Sequence, residues 1–165
     1  MFSKILVPLD GSFAAEAALE SAKYLARVGL GEIELVRIQT LPQDLGYTSE
    51  YPIPSEVFEQ EKLQCQSYLD KVAEHLAEDG FRSRCTVVAG GDCARRIIEA
   101  AARSGTELIV LTSHGRSGLA RVMLGSIAEK VARLAHCPVM IVGRHTGAAA
   151  EAKERSENLT WRGLS

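Results

Sequence analysis

Short apolar runs alternate along the chain with longer segments whose apolar positions recur at helical spacing, the pattern of βα units built around a parallel sheet. Five runs read as strands: Lys4 to Leu9, Glu32 to Ile38, Arg82 to Ala89, Glu107 to Thr112 and Val139 to Val142. Four of them are strongly apolar, as strands covered on both faces must be. Arg82 to Ala89 is more mixed, which points to a place near a sheet edge.

Four helices fill the gaps. From Ser12 to about Val28, the positions Ala15, Ala18, Leu19, Ala22, Leu25 and Ala26 form one stripe of 3.6-residue period. Ser55 to Asp79 puts Cys65, Leu69, Val72 and Leu76 on one side, and Gly80 supplies a left-handed stop. Asp92 is positioned to cap a helix carrying Ala94, Ile97, Ile98 and Ala101, which ends near Gly105. The last helix is expected to start at Ser126, where Ser126-Ile127-Ala128-Glu129 fits a reciprocal capping box. Val131, Ala132 and Ala135 continue its buried stripe until Cys137-Pro138 ends it.

Two stretches fit no element. Gln39 to Pro54 holds three prolines and a glycine and reads as a long loop, a place where function often resides. The segment from Arg144 onward is polar, with a short helical pattern near Ala148 to Arg155 and a lone Trp161. The chain therefore divides into a domain over residues 1–144 and a polar C-terminal tail over 145–165.

Composition narrows the function. With 165 residues, 46% of them hydrophobic and 24% charged, one soluble domain with a real core is expected. Lys and Arg total 19 against 21 Asp and Glu, a net charge of −2 with no long run of one sign. That disfavours electrostatic binding to nucleic acid or to a membrane surface. The longest apolar runs fall far short of the roughly 20 residues that span a bilayer. The start of the chain lacks the apolar segment and cleavage site of a signal peptide, so a cytoplasmic location is expected. Cys65, Cys85, Cys93 and Cys137 are scattered without a CxxC pair and read as small buried hydrophobes; no metal site is expected.

In open α/β sheets ligands bind at the carboxyl ends of the strands, so the residues just after each strand carry the functional signal. Pro8-Leu9-Asp10-Gly11-Ser12 follows the first strand. Thr112-Ser113-His114-Gly115-Arg116-Ser117-Gly118 follows the fourth, and Gly125-Ser126 opens the next helix. Glycines allow close backbone approach and the first amides of a helix point outward unpaired, so this second cluster has the make-up of a phosphate cradle. Arg116 and Arg121 are placed to add charge-assisted contacts. On spacing alone the plainer alternative also stands, in which Ser126 only caps the helix and the glycines only turn the loop. His114 reads as a loop-shaping or ligand-lining residue, since no neighbour in sequence completes a catalytic set. His75, His136 and His145 read as surface or helix-end residues.

These residues resemble the universal stress protein A domain. Its nucleotide-binding members carry a glycine, two residues, a second glycine, nine residues and then Gly-Ser or Gly-Thr. Here the second glycine matches Gly115, the nine residues are Arg116 to Leu124, and the pair is Gly125-Ser126, while Thr112 stands in place of the first glycine. A β-branched residue is strained there only if the position needs positive φ. The opening Lys4 to Ser12 and the closing Cys137-Pro138-Val139-Met140-Ile141-Val142 are similar to the family as well, so the likeness runs from about Phe2 to Gly143.

The resemblance implies a single doubly wound, Rossmann-like α/β fold with a five-stranded parallel sheet of order 3-2-1-4-5 and helices on both faces. It also implies ATP binding, with Mg, although the residues themselves do not separate ATP from ADP or AMP. Pro8, Leu9 and Asp10 would line the adenine and ribose side, with the backbone of Ile38 meeting the base. Leu111, Thr112, Ser113, His114, Gly115, Arg116 and Ser117 would wrap the ribose and phosphates, and Gly125, Ser126 and Ile127 would close on the phosphate tail. Asp10 is the side chain expected to hydrogen-bond sugar or base, with capping of the following helix or turn as its alternative role.

The function expected is a nucleotide-dependent sensor or switch in the stress response, not a dedicated enzyme. Two alternatives remain open: an interaction module of the same fold that needs no nucleotide, and a slow ATP hydrolase. No GxxxxGK[ST] P-loop and no GxGxxG after the first strand is present. The implied order leaves the apolar strand Val139 to Val142 at an edge, so a homodimer paired antiparallel through it is expected.

Overall fold

The computed structural model describes residues 1–39, 54–113 and 124–143. The elements run β1 (Lys4–Pro8), α1 (Phe13–Gly29), β2 (Glu32–Ile38), α2 (Ser55–Glu78), β3 (Ser83–Val88), α3 (Cys93–Ser104), β4 (Leu108–Thr112), α4 (Ser126–Leu134) and β5 (Val139–Val142). The five strands form one parallel sheet in the order β3-β2-β1-β4-β5. This is the α/β topology the resemblance implied, with the mixed strand β3 at one edge and β5 at the other.

Strand β1 lies at the centre because every one of its inner residues is apolar and covered twice. Ile5 and Val7 face a core shared with α1 and α2, and Leu6 faces a second core with α3 and α4. Right-handed crossovers running one way from β1 put α1 and α2 on one face, and those running the other way put α3 and α4 on the opposite face. The helices dock by small residues: Ala15, Ala18, Ala22 and Ala26 form the buried stripe of α1, which brings its backbone close to the sheet.

Helix boundaries follow capping chemistry. The Ser12 side chain accepts from the Ala15 amide at the start of α1, and the Asp92 side chain accepts from the Arg95 amide at the start of α3. Gly80 and Gly105 adopt the positive φ (82° and 68°) expected just past α2 and at the C-cap of α3. The capping box expected at Ser126 does not form. Gly125 is the N-cap of α4, since its carbonyl accepts from the Glu129 amide at 2.9 Å; having no side chain it makes no cap bond, and Ser126 is the first helical residue. The expected burial of Ala132 also fails: the stripe of α4 is centred on Ala128, Val131 and Ala135, and Ala132 lies exposed at its rim. Of the cysteines only Cys65 is fully buried; Cys85, Cys93 and Cys137 are half-buried, and all four are free thiols. The expected loop after β2 falls on residues 40–53 and the polar tail on 144–165, both outside the described residues. Among the described residues no helix is long and apolar enough to cross a membrane.

One helix ends on a left-handed residue that is not glycine. Leu30, the C-cap of α1, sits at φ 52°, ψ 32° with its side chain 84% exposed. The left-handed conformation costs an L-residue about 1–2 kcal/mol, and an exposed side chain returns almost none of it through burial. Leu30→Gly is expected to stabilise the domain by about 1 kcal/mol, seen as a higher urea midpoint at unchanged slope. A lower midpoint would contradict this account of the turn.

Candidate functional site

The winding of the chain reverses between β1 and β4, and no described segment runs over their carboxyl ends. That is where open α/β sheets carry ligands. A cavity of about 430 Å³ opens there, within the range of roughly 300–1,000 Å³ typical of small-molecule sites. The structure brings together on its wall Pro8, Leu9 and Asp10 from the end of β1 and Ile38 from β2. Leu111, Thr112 and Ser113 join them from β4, and Gly125, Ser126 and Ile127 from the start of α4. His114, Gly115, Arg116 and Ser117, like Gly118 and Arg121, lie outside the described residues.

The β1 side is built by a short hydrogen-bonded turn. Asp10 Oδ1 accepts from the Ser12 amide at 2.9 Å and from Ser12 Oγ at 2.6 Å, while Ser12 Oγ accepts from the Ala15 amide at 3.2 Å. The Leu9 amide donates to the Val36 carbonyl at 2.8 Å, which carries the β1–β2 pairing to the cavity floor. Asp10 therefore shapes the turn before α1 and lines the cavity as well. Gly11 must be glycine. Its φ is +84°, and a Cβ there would stand 2.8 Å from Arg37 Nη1.

The β4 side is closed by one backbone bond. The Gly125 amide donates to the Ser113 carbonyl at 2.8 Å, joining the residues on either side of the 114–123 segment. Gly125 has thus committed its own N–H. The next three amides, those of Ser126, Ile127 and Ala128, find no acceptor among the described residues, whereas α1 and α3 each have a capping side chain. All three residues line the cavity. Unpaired first-turn amides with the helix dipole behind them form an anion-binding end. Thr112 belongs to extended β4, paired with Val142, and Leu30 alone among the described non-glycine residues has positive φ. The substitution of glycine by threonine therefore strains nothing here.

Residues that sequence reasoning assigned to the core, or did not single out, complete the wall: Ala15, Val36, Arg37, Cys93, Ile97 and Ala128. Arg37 carried the one available signal, a cation between two apolar residues of a covered strand. Its guanidinium lies 4.8 Å from the centre of the Tyr68 ring, and the Tyr68 hydroxyl donates to Glu16 at 2.7 Å. Burial first, and then the Glu16 carboxylate, raise the Tyr68 hydroxyl far above its ordinary range. Burial and the neighbouring Asp92 carboxylate also raise the Cys93 thiol, so it stays protonated near neutrality. On the outer rim Lys130 of α4 pairs with Asp92, the cap of α3, and that hydrogen bond holds the Asp92 carboxyl below its usual value. The pair is exposed to solvent and adds little to stability; its value is to fix the spacing of the two helices that flank the cavity.

Among the described residues no group of three or more His, Cys, Asp or Glu side chains is placed to hold a metal ion. Asp10 is the one carboxylate among the described residues of the wall.

Comparison with known proteins follows the same outline. The model of the universal stress protein family matches residues 1–143. The chain is 34% identical over 148 residues to the universal stress protein YxiE of Bacillus subtilis, covering 86% of this chain and 99% of that protein. The solved structure of MJ0577, a universal stress protein of Methanocaldococcus jannaschii, superposes with a TM-score of 0.76 at 26% identity, covering 89% of this chain and 99% of that one. A universal stress protein in complex with cAMP shares the fold, with a TM-score of 0.63 at 20% identity over 88% of this chain and 99% of that one. On the extent of the family match and the likeness to YxiE, this chain belongs to the universal stress protein family.

Proposed function

We propose that the protein binds an adenine nucleotide, ATP with Mg, in the cavity over β1 and β4, and that it acts in the cytoplasmic stress response as a nucleotide-dependent switch. The observation that carries this reading is the set of three α4 amides with no acceptor among the described residues, on residues that line a cavity of nucleotide size where the winding reverses. Such amides suit phosphate oxygens and leave little use for a neutral ligand. The opposite, β2 end of the cavity is apolar, lined by Val36, Ile38 and Ile97, and suits a base. Asp10, between the two ends, suits the sugar or the base edge. The family pattern assigns His114, Gly115, Arg116 and Ser117 to the ribose and phosphates. In another universal stress protein the same fold is in complex with cAMP.

Magnesium fits this arrangement only as a companion of the phosphates. It commonly keeps several waters and takes one or two carboxylates plus phosphate oxygens, and Asp10 is the carboxylate at hand. The nucleotide domain covers residues 1–144. The switch would work through the wall: α3 and α4, joined by Asp92 and Lys130, flank the ligand. A nucleotide shifts their balance only so far as it binds one arrangement better than another.

The same reading makes the protein a homodimer. Among the described residues strand β5 is paired on one side only, to β4, and Met140 within it is 41% exposed. An apolar edge of unpaired amides is a liability that a twofold antiparallel partner removes.

Two outcomes are expected. Calorimetric titration should show Mg-ATP binding, weakened at least tenfold in Gly125→Val. Gly125 sits at φ −61°, ψ 146°, which any residue adopts, so valine adds bulk at the phosphate end without straining the backbone. An unchanged affinity would remove α4 from the site. Light scattering at micromolar concentration should give about twice the 17.9 kDa chain mass, and Met140→Arg should halve it. A wild-type mass of one chain would refute edge pairing.

A further inference from the structure

We infer that Arg37 is a positioning residue of the nucleotide site: from the α1/α2 face of the sheet its guanidinium supports the Asp10-Gly11-Ser12 turn and so sets where Asp10 meets the ligand. The inference rests on the nucleotide reading above and adds a residue that none of the family motifs contains.

Alternation along β2 decides which way Arg37 points. Ile33 and Leu35 belong to the core under α1 and α2, and Val36 to the core under α3 and α4. Arg37, two residues on from Leu35, therefore projects to the α1/α2 side. There two residues of α2 hold it. The guanidinium donates to the Cys65 thiol, which is fully buried and lies 3.7 Å from Glu61 Oε1. The guanidinium carbon stands 4.8 Å from the centre of the Tyr68 ring, and the Tyr68 hydroxyl donates to Glu16 of α1 at 2.7 Å. The cation is thus tied to both helices of that face.

Its remaining neighbour belongs to the site. A Cβ on Gly11 would stand 2.8 Å from Nη1 and 3.3 Å from both Cζ and Nη2, so the Gly11 backbone packs directly on the guanidinium. Gly11 joins Asp10 to Ser12, and those two side chains close the turn, with Asp10 Oδ1 accepting from the Ser12 amide and hydroxyl. The Asp10 carboxylate is near enough to this cluster to add to the rise of the Tyr68 hydroxyl. Arg37 thus backs the turn on one face of the sheet while Asp10 lines the cavity.

Packing alone does not call for a cation here. An apolar side chain of similar length would cover Tyr68 with less desolvation cost. What a planar, permanently charged group adds is a flat support of fixed geometry, bonded from α2, and a positive field beside the turn. The same contacts give α2 a physical link to the ligand, through Cys65 and Tyr68 to Arg37 and from there to Gly11 and Asp10.

The test is a double-variant cycle on the full-length protein. Calorimetric affinity for Mg-ATP is measured in the wild type, Arg37→Met, Asp10→Asn and the two combined, with a thermal melt of each. Arg37→Met keeps a long apolar side chain against Tyr68, and Asp10→Asn keeps the turn while removing one acceptor oxygen. Each single change should weaken Mg-ATP by about tenfold, and the combined variant should bind no worse than Asp10→Asn, because Arg37 acts through Asp10. Should the melt show that Arg37→Met does not fold, Arg37→Lys, which keeps the charge but not the planar support, carries the same cycle. Losses that multiply in the combined variant would overturn the positioning role and leave the nucleotide site standing. So would a lower melting temperature with unchanged affinity in the Arg37 variant, or an Asp10→Asn affinity equal to wild type. Failure of the wild type to bind Mg-ATP would overturn both.

Discussion

Everything in the site follows from the reversal of winding at β1. Because β1 pairs with β2 on one side and β4 on the other, the chain wraps one half of the sheet with α1 and α2 and the other half with α3 and α4. At the junction the carboxyl ends of β1 and β4 stand side by side, with no described segment crossing above them. No single residue creates the cavity. It is the space that a five-stranded sheet of this order cannot cover by itself, and side chains on its rim only give it chemistry.

That chemistry is divided between the two sides of β1. On the β4 side the protein offers backbone: Ser113 and Gly125 are stitched together by one bond, so the following amides of α4 arrive at the cavity already oriented and unpaired. On the β2 side it offers a side chain set in a stiff frame, with Asp10 fixed by Ser12 and the turn around it packed on Arg37, which Tyr68 backs in turn. On the proposed reading both halves would meet the ligand with groups already in place, which lowers the entropic cost of binding. The two halves would then answer to different ligand features, charge at one end and base shape at the other.

Much of this was legible in the sequence, for identifiable reasons. The strands were readable because parallel strands covered on both faces are apolar almost throughout, and α1 and α2 because their buried alanine and leucine positions keep a strict helical period. The rim residues after β1 and β4 were readable because topology alone puts strand ends at the ligand. Three features were not. The helix α4 does begin at Ser126, but its cap is Gly125 and the expected capping box is absent: Ser126 and Glu129 satisfy the capping pattern locally, while the bond from Gly125 to Ser113 is tertiary. Cys93 and Ile97 read as core because their helix meets the cavity only after β3 and β4 have been placed. Arg37 needed its partners: nothing in the string of residues announces that Tyr68, 31 positions later in the numbering, will bring its ring to 4.8 Å from the guanidinium.

The claim at the centre is that the free amides of α4 grip the phosphates of an adenine nucleotide. Backbone ¹⁵N NMR addresses those amides one by one. On addition of Mg-ATP, the signals of Ser126, Ile127 and Ala128 should move the most among α4 residues, and adenosine at equal concentration should leave them in place. Shifts of the same size with adenosine, or no movement at those three positions while ATP is bound, would contradict the account.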